Sequence, residues 1–186
     1  MSANATTPTV WGVFVGDNGD QLEIFNSKTG PFPPDIDSVG MISIGWPATG
    51  DLMMFQNNYP DYIDKFRVIY PNGSERVFKT KANMPWNFAF TMKIGDWVIC
   101  PSSSLGLILI GEITGGYESD FHDETGLYGK KRVDFVHTRK VQWKNIIKKL
   151  DPRYSKLNKI GQLTISRPDI SHGDLVDILK GIPEIA

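Results

Sequence analysis

Two sets of side chains in this sequence have the types and spacing for chemistry, and both point to recognition. The first is the run Pro101-Ser102-Ser103-Ser104-Leu105-Gly106, set between the apolar stretches Asp96 to Cys100 and Leu107 to Ile113. Hydroxyls and free backbone amides at the end of a strand pair can read the edge of a planar polar ligand, which makes Ser102 and Ser103 candidate edge readers. Their plainer role is to close an ordinary turn. The second set is a basic stretch from Lys130 to Lys159, where eleven lysines and arginines meet only Asp134 and Asp151. Phe135, His137, Trp143 and Tyr154 interleave with it. Such a pattern can follow a phosphate backbone while rings stack on bases. Lys130, Lys131, Arg132, His137, Arg139, Lys140 and Lys144 are therefore the candidate phosphate contacts. Arg139 leads them, because a guanidinium holds phosphate bidentately and keeps its charge. The plain alternative, for Val141 to Leu150, is a solvated helix face.

Residues for catalysis are missing in specific ways. No lysine has Asp or Glu two positions before it, so the acid-x-lysine core of a metal-dependent nuclease is absent. The three histidines, His122, His137 and His172, show no metal-ligand spacing, and there is no Cys-x-x-Cys pair and no phosphate-cradling Gly-rich Lys-Ser/Thr loop. Asp120, His122, Asp123 and Glu124 cluster in a Gly-flanked stretch that reads best as a solvated acidic turn. The expectation is a protein without catalysis, metal or cofactor.

The elements that would position these residues are mostly short strands. Trp11 to Val15, Val39 to Trp46, Asp96 to Cys100, Leu107 to Ile113 and a late strand at Leu163-Thr164-Ile165 carry the β signal. Asn26 to Gly40, with Pro31, Pro33 and Pro34, reads as a surface loop. Pro71-Asn72-Gly73-Ser74 between Phe66 to Tyr70 and Glu75 to Thr80 predicts a β-hairpin, and Asn57-Asn58-Tyr59-Pro60 argues against a helix over Asp51 to Lys65 beyond a turn or two on either side of Pro60. Ser171 with Asp174 three residues on, then Leu175, Val176, Ile178 and Leu179 and a following Gly181, predicts a short capped amphipathic helix.

Composition fits one domain. The chain has 186 residues with 40% hydrophobic content, enough for a sizeable core. Residues 1–10 are expected to be a flexible N-terminus and 11–186 a single domain. No apolar run approaches the ~20 residues that span a bilayer, and Met1 to Val10 lacks the pattern of a signal peptide, so the expected location is the cytoplasm, away from membranes. The lone Cys100, in an apolar strand, is expected to be a buried small hydrophobe in a reducing compartment. Net charge is −1, but residues 61–160 carry seventeen basic against eleven acidic residues, while the flanks are acidic.

Five pieces in order carry a resemblance: Trp11-Gly12-Val13; Ile42-Ser43-Ile44-Gly45-Trp46-Pro47 with Gly50-Asp51-Leu52; Phe90-Thr91-Met92-Lys93-Ile94-Gly95-Asp96-Trp97-Val98; Ile110-Gly111-Glu112-Ile113-Thr114-Gly115 with Tyr117; and His137-Thr138-Arg139-Lys140-Val141-Gln142-Trp143. With them the chain resembles the N-terminal domain of Mrr-type, modification-dependent restriction enzymes, a module similar to the EVE and YTH domains of the PUA-like superfamily, here without its nuclease. The resemblance implies an α+β fold, a PUA-like mixed β-barrel with a few peripheral helices. It also implies helical sequence before the Met-Lys-x-Gly-Asp strand, where the hairpin is predicted instead. It further implies a pocket at the barrel mouth into which a modified base is flipped, with Trp11 and Trp46 as aromatic walls and Trp86 as a third candidate. Trp97 and Trp143 are better placed for the core. Asp51 either accepts from an exocyclic amine or caps the following turn. The implied partners are nucleic acid, modified DNA before RNA, and a separate nuclease or other effector, in defence against foreign DNA. The alternative is a prophage or mobile-element interaction module that keeps the barrel and has lost base reading.

Overall fold

Period-two alternation of Val, Ile and Leu becomes a mixed six-stranded sheet. The structure, a computed structural model, describes residues 7–16, 33–56, 58–119, 135–158 and 163–180. Its strands are β1 (Val10–Val13), β2 (Val39–Ile44), β3 (Trp97–Ser102), β4 (Leu107–Ser119), β5 (His137–Lys148) and β6 (Ile165–Ser166). They lie in the order β2-β5-β4-β3-β1-β6. The sheet is open, with β2 and β6 at its edges; every described pair is antiparallel except β1 with β3. β1 begins at Val10, one residue before the expected boundary of the domain.

The alternation decides which core each side chain joins. Trp11 and Val13 of β1, Ile42 and Ile44 of β2, Val98 and Cys100 of β3, Leu109 and Ile113 of β4, Val141 and Trp143 of β5 and Ile165 of β6 form one buried cluster. Val10, Ile99, Ile108, Ile110 and Ile147 point the other way and are covered by α3 (Tyr154–Leu157) and α4 (His172–Lys180) through Leu157 and Leu175. Where Trp143 crosses β4, Gly111 lies opposite; a Cβ there would meet Trp143 Cε3 at 2.9 Å. Burial raises the Cys100 thiol pKa, as expected of an inert thiol. The expected cap of α4 is present. Ser171 Oγ accepts from the Asp174 amide at 3.1 Å, and the Ser171 amide donates to Asp174 Oδ2 at 3.1 Å.

The segment predicted as a hairpin is helical. Helix α1 (Tyr59–Ile69) and helix α2 (Glu75–Trp86) form an αα-hairpin around Pro71-Asn72-Gly73-Ser74. Asn-Gly at its tip fits a connection between two helices as well as between two strands, since Gly73 only needs its positive φ of 118°. Pro60 sits within the first two positions of α1, where its missing N–H is not needed; Asn58 caps the helix by accepting from the Asp61 amide at 3.2 Å. Apolar spacing Tyr62/Phe66 and Phe78/Ala82 joins the two helices in a third cluster with Leu52 and Ala89. Val141 to Leu150, for which a helix face was the plain alternative, is strand β5 and its exit.

Candidate functional site

Helix α2 does not stop at Trp86 but widens into a π turn over Asn87–Thr91, with the Met92 amide bonding to Asn87 O at 2.9 Å. Pro85, buried within α2, removes one backbone donor just before the change of pitch. Arg139 of β5 secures the turn: Nε donates to Phe88 O at 2.7 Å, Nη2 to Ala89 O at 3.0 Å, and Nη1 to Gly115 O at 3.2 Å. Burial pushes its pKa down to about 10, which still leaves it cationic at neutral pH.

Between this helix and the β1–β6 edge lies a cleft of about 330 Å³, lined by Trp11, Thr80, Asn83, Met84, Asn87, Leu163, Ile165, Ser166 and Arg167. That volume is at the small end of ligand sites. Thr80, Asn83 and Asn87 reach it because a spacing of three and four residues puts them on one helix face. Trp11 is held in place: its Nε1 donates to Asp96 Oδ2 at 2.9 Å, and Asp96 also accepts from the Thr9 and Lys93 amides, each at 2.9 Å. The Arg167 guanidinium lies over the Trp11 ring, 4.6 Å from its centroid. Trp11 is 1% exposed, packed into the central cluster as well as lining the cleft.

The polar lining is rich in donors. Asn83 Oδ1 accepts from Tyr59 Oη, and Asn87 Oδ1 accepts from Thr91 Oγ1 at 3.0 Å, so both carboxamides are oriented through their oxygens. Among the described residues neither Nδ2 has a partner, and Arg167 has no hydrogen bond or ion pair. Among the described residues no carboxylate lines the cleft. Met84, Leu163 and Ile165 supply an apolar wall. The cleft suits a planar ligand with acceptors on its edge.

The other expected site residues lie elsewhere. Trp46 is half-buried between the central cluster and the helical one, with a left-handed backbone, φ 68°. Its carbonyl accepts from the Thr49 amide at 3.0 Å and from Thr49 Oγ1 at 2.7 Å. Trp86 packs on Tyr59, Tyr62 and Phe90. Asp51 caps a short 3₁₀ turn, Leu52–Phe55, by accepting from the Met53 amide at 2.9 Å. Ser102 is buried and Ser103 exposed at the β3–β4 turn. Val98 pairs with Trp11, so Ser102 is four residues along β3, roughly 13 Å away. Trp11 alone of that set lines the cleft. Asn83, Asn87 and Arg167 are residues that sequence reasoning missed; the i, i+4 asparagines were hidden by reading their helix as strand.

The phosphate set needs correction. Arg139 is 4% exposed and bound to three carbonyls, and His137 is fully buried, so neither can reach a phosphate. The Leu52 amide donates to Tyr117 Oη at 3.2 Å, and Tyr117 Oη bonds His137 Nδ1 at 2.7 Å. His137 Nε2 faces Trp46 O at 3.3 Å and Thr49 Oγ1 at 3.2 Å. A carbonyl can only accept, so the ring proton sits on Nε2 and Tyr117 donates to Nδ1. Burial pushes His137 down to about 4. Lys140 pairs with Glu118 at 3.3 Å, and Lys144 with Asp37 at 3.3 Å and Glu112 at 3.9 Å. Lys130, Lys131, Arg132 and the acidic turn from Asp120 to Glu124 lie outside the described residues. Among the described residues no group of His, Cys, Asp and Glu is arranged to hold a metal, and no helix is long and apolar enough to cross a membrane.

A family model described as a domain of unknown function (DUF8426) matches residues 32–167. The match takes in Asn83, Asn87 and Arg167 and begins after Trp11. No curated protein and no solved structure matches the chain.

Proposed function

The chain belongs to the DUF8426 family, and from that premise we propose that it is a non-catalytic nucleic-acid-binding module that takes one modified base, extruded from its strand, into the cleft over Trp11. The observation that carries this reading is the pairing, among the described residues, of an anchored indole with unpartnered donors on Asn83, Asn87 and Arg167 in a small cleft whose described lining holds no carboxylate. Bases present ring nitrogens and carbonyl oxygens on their edges, so amide and guanidinium N–H groups are the complementary lining. A methyl mark on the base would lie against Met84, Leu163 or Ile165. Stacking on an aromatic ring contributes about 1–3 kcal/mol per base, comparable with the few kcal/mol that unstacking costs.

A PUA-like, EVE-like barrel is the matching fold, and two features support it. All six strands, both edges included, feed one buried cluster, as they do when a sheet bends round its core. The Met-Lys-Ile-Gly-Asp segment is preceded by helices, as the resemblance to Mrr-type reader domains implies. In this reading the domain serves restriction of foreign DNA beside a separate effector.

Fluorescence anisotropy with matched duplexes and single strands tests it, the strands being plain or carrying 5-methylcytosine, 5-hydroxymethylcytosine or N6-methyladenine. We expect a preference for one modified strand and its loss, by about tenfold in Kd, in Asn83→Ala, an exposed position whose change leaves the fold intact. Absence of binding to every strand at low salt would overturn the reading in favour of a protein-docking module.

A further inference from the structure

We infer that Arg167 covers the Trp11 ring of the cleft in the free chain, and that the ligand carries an anionic group, a nucleotide phosphate, which draws the guanidinium off the ring. The inference rests on the base-binding reading above.

Among the described residues, the cation over the Trp11 ring is Arg167, an exposed side chain with no hydrogen bond or ion pair holding it. The indole is tied to Asp96 through Nε1 and packed into the central cluster. Arg167 follows the edge strand β6, is exposed, and touches the ring through its guanidinium, 4.6 Å from the centroid. The Arg167 guanidinium lies where a planar ligand would stack on the indole. A guanidinium on a ring and a base stacked on it contribute comparable amounts, so a stacking base can take the place of the guanidinium once the guanidinium has another partner.

The displaced guanidinium then needs a partner for its five donors. Among the described arginines, Arg67 pairs with Glu75, Arg153 with Asp151, and Arg139 with backbone carbonyls. Arg167 and Arg76 have no such partner among the described residues, and of the two Arg167 lines the cleft, whose described lining offers no carboxylate to capture it. A phosphate attached to the bound base through its sugar matches the guanidinium fork bidentately. A neutral nucleoside must compete with Arg167 for the ring, whereas a nucleotide turns the competitor into a contact.

NMR titration of the full chain decides this, with N6-methyldeoxyadenosine and 5-methyldeoxycytidine, each as the nucleoside and as its 5′-monophosphate. The reporters are the Trp11 indole N–H and the Arg167 side-chain protons, which the ring current shifts upfield in the free chain. We expect a monophosphate to release the Arg167 protons and to bind at least about tenfold more tightly than its nucleoside. In Arg167→Gln that gap should close, with the nucleoside binding as well as or better than to the native chain. Backbone amide resonances away from the cleft that are unchanged in the free variant show that the fold is kept. Equal binding of nucleoside and monophosphate, or a gap that persists in Arg167→Gln, overturns the inference and leaves the base-binding reading standing. No movement of the Trp11 N–H with any of the four probes sinks both.

Discussion

Histidine 137 shows how a residue can look functional in sequence and be structural in the fold. It lies in a basic, aromatic stretch, yet the chain Leu52 amide, Tyr117 hydroxyl, His137 ring, Trp46 carbonyl uses both of its nitrogens. That chain also holds Trp46 in its left-handed conformation, which costs roughly 1–2 kcal/mol for a bulky residue. Sequence spacing cannot reveal this, because the partners are 20 and 91 positions away. Because burial lowers the His137 pKa in the folded chain to about 4, while in the unfolded chain it stays near 6.5, the unfolded state takes up a proton first as pH falls. Its contribution is therefore complete above about pH 6.5 and is lost progressively as the pH falls toward 4, on the order of 3 kcal/mol in all. Urea unfolding at pH 7, 5.5 and 4.5 should show the native chain weakening through this window and His137→Gln, already weaker at pH 7, weakening much less. A native midpoint that stays constant from pH 7 to 4.5 would contradict the buried neutral ring.

At the scale of elements, strands were legible and helices α1 and α2 were not. Alternating Val and Ile announce a strand through burial on one face, and the runs at Trp97 and Leu107 pair as read. The helical hairpin is obscured because Asn-Gly and Asn-Tyr-Pro also mark a strand turn and a helix break, while the i, i+4 pairs Tyr62/Phe66 and Phe78/Ala82 are what decide for helix. With the helix went the site, since Asn83 and Asn87 face one cleft only on a helical backbone. The π turn at its end needs an outside partner for its carbonyls, which Arg139 supplies from β5. Replacing Arg139 with Met should leave Phe88 O, Ala89 O and Gly115 O unpartnered, lowering stability by about 2–4 kcal/mol. It should also weaken binding through a displaced Asn87. Arg139→Lys should recover only part of the loss, because one ammonium cannot meet three carbonyls in the guanidinium plane. Chemical denaturation together with the anisotropy assay reads both effects, and a variant as stable as the native chain would remove Arg139 from the site's support.

For the molecule as a whole, charge decides which face meets a polyanion. The net charge of −1 gives no general attraction, so any nucleic acid must be held by a local set of cations. The sequence located that set on β5 because a string of letters counts charges without their partners. In the fold, Lys140 and Lys144 face Glu118, Asp37 and Glu112, and a carboxylate beside each lysine cancels most of what a phosphate would feel. Arg167 keeps its charge at the cleft, and Arg76, which likewise has no ion pair or side-chain hydrogen bond among the described residues, lies one turn before Thr80 on α2. A strand with its base in the cleft would thus run along the α2 and β6 side. Replacing Lys140 and Lys144 together by Ala should then leave the slope of log Kd against log salt unchanged and Kd within about threefold. Arg76→Gln should flatten that slope by roughly 0.7, the value for one phosphate on a single strand. The opposite pattern would move the nucleic acid onto β5 and take the strand away from the Trp11 cleft.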